Sequence, residues 1–241
     1  MSSVRERVLV TGAAGRVASL IAPTLRAEFQ LRRLDLVPQQ RSADDELVQA
    51  DVRDVDAVVS ASMGVRAVIH LAAQPTEAQF RSVLLPRNLD GTWATYEAAV
   101  HAQVPRFIFA SSIQTVDGAA VDVSVSPNDP PRPVSVYAAT KLFGEALGRF
   151  HADKSGLGVV CLRLGAVVRP DDPRLATDDR FRSLWCGPGD LARLVIAAIR
   201  SDVPFATVIA VSPPASSRFD TVNPFGWRPV EKPIAVAETQ R

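Results

Sequence analysis

The sequence predicts an α/β fold, a doubly wound parallel sheet with a short C-terminal appendage, from three observations. Short apolar runs at 8–10, 31–36, 67–73, 106–110, 159–164 and 207–211 read as strands buried on both faces. Between them lie segments with apolar residues at helical spacing, the first being Val17, Leu20, Ile21 and Leu25. The joints are short, as in strands connected by crossover helices. A length of 241 residues with 47% hydrophobic content suits a single domain, 1–241, with an ample core and neither repeat nor linker.

In chain order, the strand at Val8–Val10 breaks at Gly12 and Gly15, and a helix follows over 16–29. A second strand, 31–36, carries Asp35 near its end, and 38–45 reads as loop. The third strand, 47–52, ends on Asp51 and Val52, and Asp54 is placed to cap a helix over 54–63. The fourth strand, 67–73, runs from Ala67 through His70 into Leu71, Ala72 and Ala73, small residues that let a ligand approach the backbone. A mainly helical stretch, 77–102, has Pro86 near its middle and is expected to kink or restart there. The fifth strand, 106–110, is followed at once by Ser111 and Ser112. After the proline-rich 127–133, a helix spans 137–152 and the sixth strand 159–164. The stretch 169–189, rich in Pro, Asp and Arg, reads as a loop long enough to be a functional lid. A helix over 190–200 and a last strand at 207–211 follow, and the tail from Pro213 is expected to pack without regular structure. Substrate-binding segments are expected mainly in 165–189 and 212–241.

The first loop carries the first chemistry. A strand, a glycine turn and a helix start together make an anion site, because the first helical N–H groups are unpaired and glycine admits a phosphate to the backbone. Gly12, Ala14, Gly15, Arg16 and Val17 are therefore candidates to bind the pyrophosphate of a dinucleotide. Ala18 stands where a third glycine is common, and is small enough for the same close packing. Asp35, twenty residues past Gly15, can accept hydrogen bonds from ribose hydroxyls and would repel a 2′-phosphate. NAD is the expected cofactor in preference to NADP, with Arg41 the nearby residue that would suit the latter.

Composition narrows the partners. Twenty-seven basic against twenty-six acidic residues point to no nucleic acid and no anionic membrane. Two cysteines, Cys161 and Cys186, give no disulfide framework, and no His/Cys cluster suggests a metal. No apolar run approaches the roughly 20 residues of a membrane span, and the early first strand leaves no room for a leader. The expectation is a cytoplasmic protein whose partners are a small-molecule substrate and other copies of itself.

Tyr137 and Lys141 carry the second chemistry. Four apart, they share one helix face. A phenol is a poor base at neutral pH, but a neighbouring ammonium favours the phenolate. So tuned, Tyr137 can take a proton from a substrate alcohol or give one to a carbonyl, while Ser112 (or Ser111) hydrogen-bonds the reacting oxygen. The hydride belongs to the cofactor. His70 reads as a packed strand-end residue.

Together these residues resemble the short-chain dehydrogenase/reductase superfamily in its extended, epimerase/dehydratase-like branch. The resemblance runs through Thr11-Gly12-Ala13-Ala14-Gly15, Asp51-Val52, His70-Leu71-Ala72-Ala73, Asn88-Leu89-Asp90-Gly91-Thr92, Ser111-Ser112, Tyr137 with Lys141, and Arg163-Leu164-Gly165. It implies a Rossmann-type domain in which Asp51 and Val52 flank the adenine and Leu71, Ala72 and Ala73 line the cofactor. It also implies that Asn88 steadies the site, that Lys141 bonds the nicotinamide ribose, and that helices near 77–102 and 137–152 pair in a homodimer or a higher homo-oligomer. Read without the resemblance, Asp51 is equally a loop acid and Asn88 equally a helix cap.

Within that branch the sequence resembles uronate dehydrogenases, which oxidise the anomeric carbon of a free hexuronic acid to a lactone. Phe107-Ile108-Phe109-Ala110-Ser111-Ser112, Lys141-Leu142-Phe143-Gly144-Glu145, Arg182-Ser183-Leu184-Trp185 and Phe225-Gly226-Trp227-Arg228-Pro229 carry it. It makes Arg182 a carboxylate clamp, a task that suits guanidinium. It also puts Thr76, Ser111, Ser112, Ile113 and Gln114 at the substrate. There the sequence departs from the pattern: Ile113-Gln114 replaces an Asn-His pair, and Gln74-Pro75-Thr76 replaces a serine. The expected activity is hydride transfer between NAD and a hydroxyl or carbonyl of a small polar, sugar-acid-like substrate. The alternatives are an NAD-dependent sugar epimerase or dehydratase, and an NAD(P)-binding regulator without turnover.

Overall fold

The computed structural model describes residues 5–40, 44–120, 122–213 and 218–234, so Arg41 and parts of the tail lie outside the described residues. Seven strands form one sheet in the order β3-β2-β1-β4-β5-β6-β9, and every neighbouring pair is parallel. They are β1 (Arg7–Thr11), β2 (Gln30–Asp35), β3 (Glu46–Gln49), β4 (Ala67–His70), β5 (Arg106–Ser112), β6 (Gly158–Leu164) and β9 (Phe205–Ala210). Helices α1 (Arg16–Glu28) and α7 (Pro188–Arg200) cover one face through Ile21, Leu25, Leu191 and Val195. The opposite face packs under α2 (Val55–Ser62), α3 (Gly91–His101) and α4 (Val136–Ser155), with Val58, Tyr96, Phe107 and Val159 in its core.

Strand order runs outward in both directions from the β1–β4 seam. In open α/β sheets the crevice at such a reversal, outside the carboxyl ends of the strands, is where ligands bind. Everything of functional interest lies along that edge.

Several expected boundaries move. β3 stops at Gln49, leaving Asp51 and Val52 in the following turn. β4 stops at His70, so Leu71, Ala72 and Ala73 form a loop over the β1 end. Ser111 and Ser112 are the last residues of β5 rather than its successors, because both pair with β6. The stretch around Pro86 restarts as expected, but its first part, Phe80–Asp90, is wound as a π-helix that passes into α3 at Gly91. The 169–189 stretch, expected as loop, is folded. It holds α5 (Arg174–Thr177), α6 (Asp179–Ser183) and β8 (Trp185–Cys186), and β8 pairs with β7 (Ala166–Val167) in a second, two-stranded sheet. Its short elements carry no helical or alternating period long enough to register in the sequence, and Trp185, fully buried with Leu175 and Val168, holds them together.

The described tail has neither helix nor strand, as expected. It is held by Asp190, whose carboxylate accepts from Ser212 Oγ at 2.6 Å, Val230 N at 2.9 Å and Glu231 N at 2.9 Å. Among the described residues no helix is long and apolar enough to cross a membrane.

Candidate active site

At the β1 end the chain turns at Gly12, whose φ of +66° favours glycine. A Cβ there would also lie 2.6 Å from the Ala72 nitrogen, inside the loop that follows β4. The turn is fastened sideways: the Ala14 N–H donates to Asp35 Oδ2 at 2.9 Å and the Val37 N–H to Asp35 Oδ1 at 3.1 Å. A groove of about 520 Å³ follows, lined by Gly12, Gly15, Asp35, Asp51, Val52, Leu71, Ala72 and Ala73. Leu36, Val37, Ala50, Arg53, Ser82, Pro86 and Arg87 complete its walls, and apart from the small or apolar members they gave no motif in the sequence. Asp51 sits at the rim with its carboxylate on Arg53 at 2.6 Å, and that guanidinium lowers its pKa.

Leu71 and Ala73 also line a second cavity of about 360 Å³, so the two are contiguous. This second cavity gathers Arg16, Val17, Thr76, Ser111, Ser112, Ile113, Gln114, Tyr137 and Lys141. Its apolar wall includes Ile113 and Val167, together with Phe181 and Leu184 from the folded 169–189 segment. Arg16 and Val17 therefore line this second cavity rather than the groove.

The helix carrying Tyr137 starts under tight control. Ser135 Oγ accepts from Ala138 N at 3.0 Å, a side-chain N-cap. Glu77 Oε2 accepts from Tyr137 N at 2.9 Å, from sixty residues upstream. Burial raises the Tyr137 pKa, and contact with the Ser112 hydroxyl draws it back down. Lys141 lies one turn on, with Nζ 5.9 Å from the Tyr137 ring centre and 5.2 Å from that of Phe109. Burial lowers its pKa to about 8. His70, hydrogen-bonded to Thr11 Oγ1 at 2.8 Å and Thr92 Oγ1 at 3.3 Å, is held neutral by burial with a pKa near 3.

Other expected residues lie away from the cavities or are otherwise engaged. Ala14 contributes its N–H to Asp35 and is not in the groove wall. Asn88 is 1% exposed and behind the site: Oδ1 accepts from Gln74 N at 2.8 Å, and Nδ2 donates to Gln74 O at 3.1 Å and Thr140 Oγ1 at 3.0 Å. Ser111 borders the cavity, but its hydroxyl donates to Glu145 at 2.5 Å. Gln114 Oε1 accepts from Ser135 Oγ at 2.9 Å. Arg182 is not brought to the cavity. Its guanidinium donates to the Leu175 carbonyl at 3.1 Å and pairs with Asp179, so the lid's own short helices hold it and Phe181 stands at the cavity instead. Glu77, which fastens the Tyr137 N–H, gives no signal in the sequence beyond its place just after Thr76.

Comparison with known proteins decides the family. The family model for NAD dependent epimerase/dehydratase proteins matches residues 8–186. The chain belongs to that family. L-arabinose 1-dehydrogenase (NAD(P)(+)) of Haloferax volcanii is 32% identical over 96% of this chain and 99% of its own length. Uronate dehydrogenase of Pseudomonas syringae is 33% identical over 86% of this chain and 74% of its own. The crystal structure of uronate dehydrogenase from Agrobacterium tumefaciens superposes with a TM-score of 0.85 at 30% identity, covering 95% of this chain and 86% of that one. A mutant of that enzyme has been solved in complex with NAD. This epimerase/dehydratase-family chain is thus an NAD-dependent oxidoreductase, with the Rossmann-type sheet of the dehydrogenases it resembles. The cofactor fits the residues present: a Cβ-intolerant turn at Gly12, a carboxylate at the β2 end and a groove open beside both. Among the described residues no group of His, Cys, Asp and Glu could hold a metal.

Proposed function

We propose that this enzyme oxidises a hydroxyl of a small neutral sugar, an aldose, with Ser112, Tyr137 and Lys141 as its catalytic residues. The observation that carries the reading is the convergence of a phenol, a hydroxyl and a buried ammonium on one small cavity that opens onto the nucleotide groove. When bound, NAD supplies the hydride acceptor. Tyr137 takes the proton of the substrate hydroxyl, and Ser112 hydrogen-bonds the same oxygen. Lys141, still mostly cationic at neutral pH, stabilises the phenolate and bonds the nicotinamide ribose. Gly12, Ala14, Gly15, Arg16 and Val17 bind the pyrophosphate, Asp35 the adenosine ribose, and Asp51 and Val52 flank the adenine. Leu71, Ala72 and Ala73 pack on the cofactor, while Asn88 steadies the loop at Gln74 and the helix at Thr140.

A neutral substrate is favoured by the placement of Arg182. Of the cations that line the cavity, Arg16 is assigned to the cofactor pyrophosphate and Lys141 to Tyr137, while Arg182 is engaged by Asp179 outside it. Thr76 and Gln114 are the polar contacts for sugar hydroxyls, and Ile113 with Phe181 forms the apolar wall. A uronate is the second reading, favoured by the similarity to uronate dehydrogenases, and it requires Arg182 to leave Asp179 and turn inward. The reading extends to a single domain with 165–189 as lid and 212–241 as appendage, a cytoplasmic setting, and a homodimer through α3 and α4, whose Trp93, Phe143 and Phe150 are exposed.

The test is reduced-nicotinamide formation from NAD, then NADP, with a panel of neutral aldoses, free hexuronic acids and simple secondary alcohols. Turnover of aldoses over uronates supports the reading. Preference for a uronate replaces it with the second, and silence on every sugar contradicts both.

A further inference from the structure

The buried acid one helical turn beyond Lys141 takes no part in the chemistry above, yet it reaches the frame of the site from several sides. Glu145 is 8% exposed, on the face of α4 that also presents Tyr137 and Lys141, since the three recur at intervals of four. Its Oε1 accepts from Ser111 Oγ at 2.5 Å and from Arg163 Nε at 3.0 Å, and its Oε2 from Arg163 Nη2 at 2.8 Å. Arg163 is 4% exposed, and its Nη1 donates to the Pro127 carbonyl at 3.2 Å, in the stretch that leads to α4. Ser111 and Arg163 are direct partners in the β5–β6 register.

An ion pair this deep is weak support for stability, because desolvation offsets its attraction. Its geometry suits another task. Gly144 lets α4 lie directly on the Phe109 ring, where any Cβ would overlap it. A contact without side chain sets how close the helix sits, but not where along the strand it stops. The charged bonds from Glu145 are directional and set that position. We propose that Glu145 is a positioning residue: through Ser111 it ties the end of β5, and with it Ser112, to the helix that carries Tyr137 and Lys141.

The kinetic part of this inference rests on the proposed function, so the experiment includes a readout that needs no substrate. The sequence has two tyrosines, and full burial pushes Tyr96 well above the ordinary phenol range, so Tyr137 titrates first. Ser112 contact lowers the Tyr137 pKa, and a displaced Ser112 raises it. Ser111→Ala, Glu145→Gln and the double variant are compared with wild type by NMR titration of ring-labelled tyrosine and by kcat. Each single variant is expected to raise the Tyr137 pKa and to lower kcat roughly tenfold to a hundredfold, the scale of a small misplacement. NAD affinity should hold, the double should be no worse than the worse single, and Ser111→Thr should restore wild-type values. Should Glu145→Gln fail to fold, Ser111→Ala, which keeps the ion pair, carries the test alone. A folded Ser111→Ala with unchanged Tyr137 titration overturns the inference, and so do additive losses in the double. If wild type turns over no sugar, the proposed function fails while the tyrosine titration still decides this point.

Discussion

The nucleotide groove and the substrate cavity adjoin at Leu71 and Ala73 but are built in different ways. The groove is made from strand ends in register: Gly12 after β1, Asp35 at the end of β2 and Leu71–Ala73 after β4. The elements proposed to hold the cofactor there are the helix-start backbone, a positive-φ glycine and one carboxylate, which the Ala14 and Val37 N–H groups hold in place. The cavity is assembled by side chains reaching across the chain: Glu77 to Tyr137 over 60 residues, Asn88 to Thr140 over 52, and Arg180 of the lid to Asp117 over 63. On the proposed assignment, cofactor choice follows from the sheet, whereas substrate choice can change with a few side chains.

Substitutions on either side can break or sharpen that contrast. The largest effect is expected on the cavity side from Lys141→Met, which removes the cation beside the phenol. Steady-state assays should show kcat falling about a hundredfold or more, with NAD affinity, measured by calorimetry, falling far less. Gly12→Ala strikes the groove. The forced positive φ and the contact with the Ala72 nitrogen should cost about 1–3 kcal/mol of stability and weaken NAD binding at least comparably, read by thermal melts and calorimetry. Asp35→Asn removes one repulsion toward a 2′-phosphate. The ratio of kcat/KM for NAD over NADP should shrink roughly tenfold or more, since two like charges about 4 Å apart repel by about 1 kcal/mol even in bulk water and by more at a protein surface.

The smallest effect at working pH comes from His70. Its folded pKa, near 3, lies below the ordinary imidazole value, so between the two the unfolded chain binds the extra proton. Stability is therefore lost as pH falls from the ordinary imidazole value toward 3. The loss is slight at pH 7 and approaches about 1.4 kcal/mol for each unit below about pH 6. Denaturation midpoints between pH 7 and pH 4 should fall more steeply for wild type than for His70→Asn.

The same contrast explains what was legible in the sequence. The strands and their alternation with helices, the glycine turn, Asp35 and the Tyr137–Lys141 pair depend on local periodicity and fixed spacing, which the chain displays along its length. The lid reads as a loop in the sequence because its helices, such as Asp179–Ser183, are too short to show a period. Arg182 was expected at the substrate, but an (i, i+3) acid, Asp179, engages it, and the lid's fold puts Phe181 in the wall. Ser111 and Ser112 looked interchangeable because adjacent serines differ only in what lies opposite them. The partner that separates them, Glu145, is 34 residues from Ser111. Glu77 is invisible for the same reason: an acid before a helix signals nothing until another helix start is folded against it.

The most direct measurement is Tyr137→Phe, assayed for reduced-nicotinamide formation on the best sugar of the panel, with NAD binding measured in parallel. Loss of turnover with NAD affinity intact is the expected result, since the variant keeps the ring and removes only the proton-transferring oxygen. A retained rate would contradict the central claim that Tyr137 moves the substrate's proton.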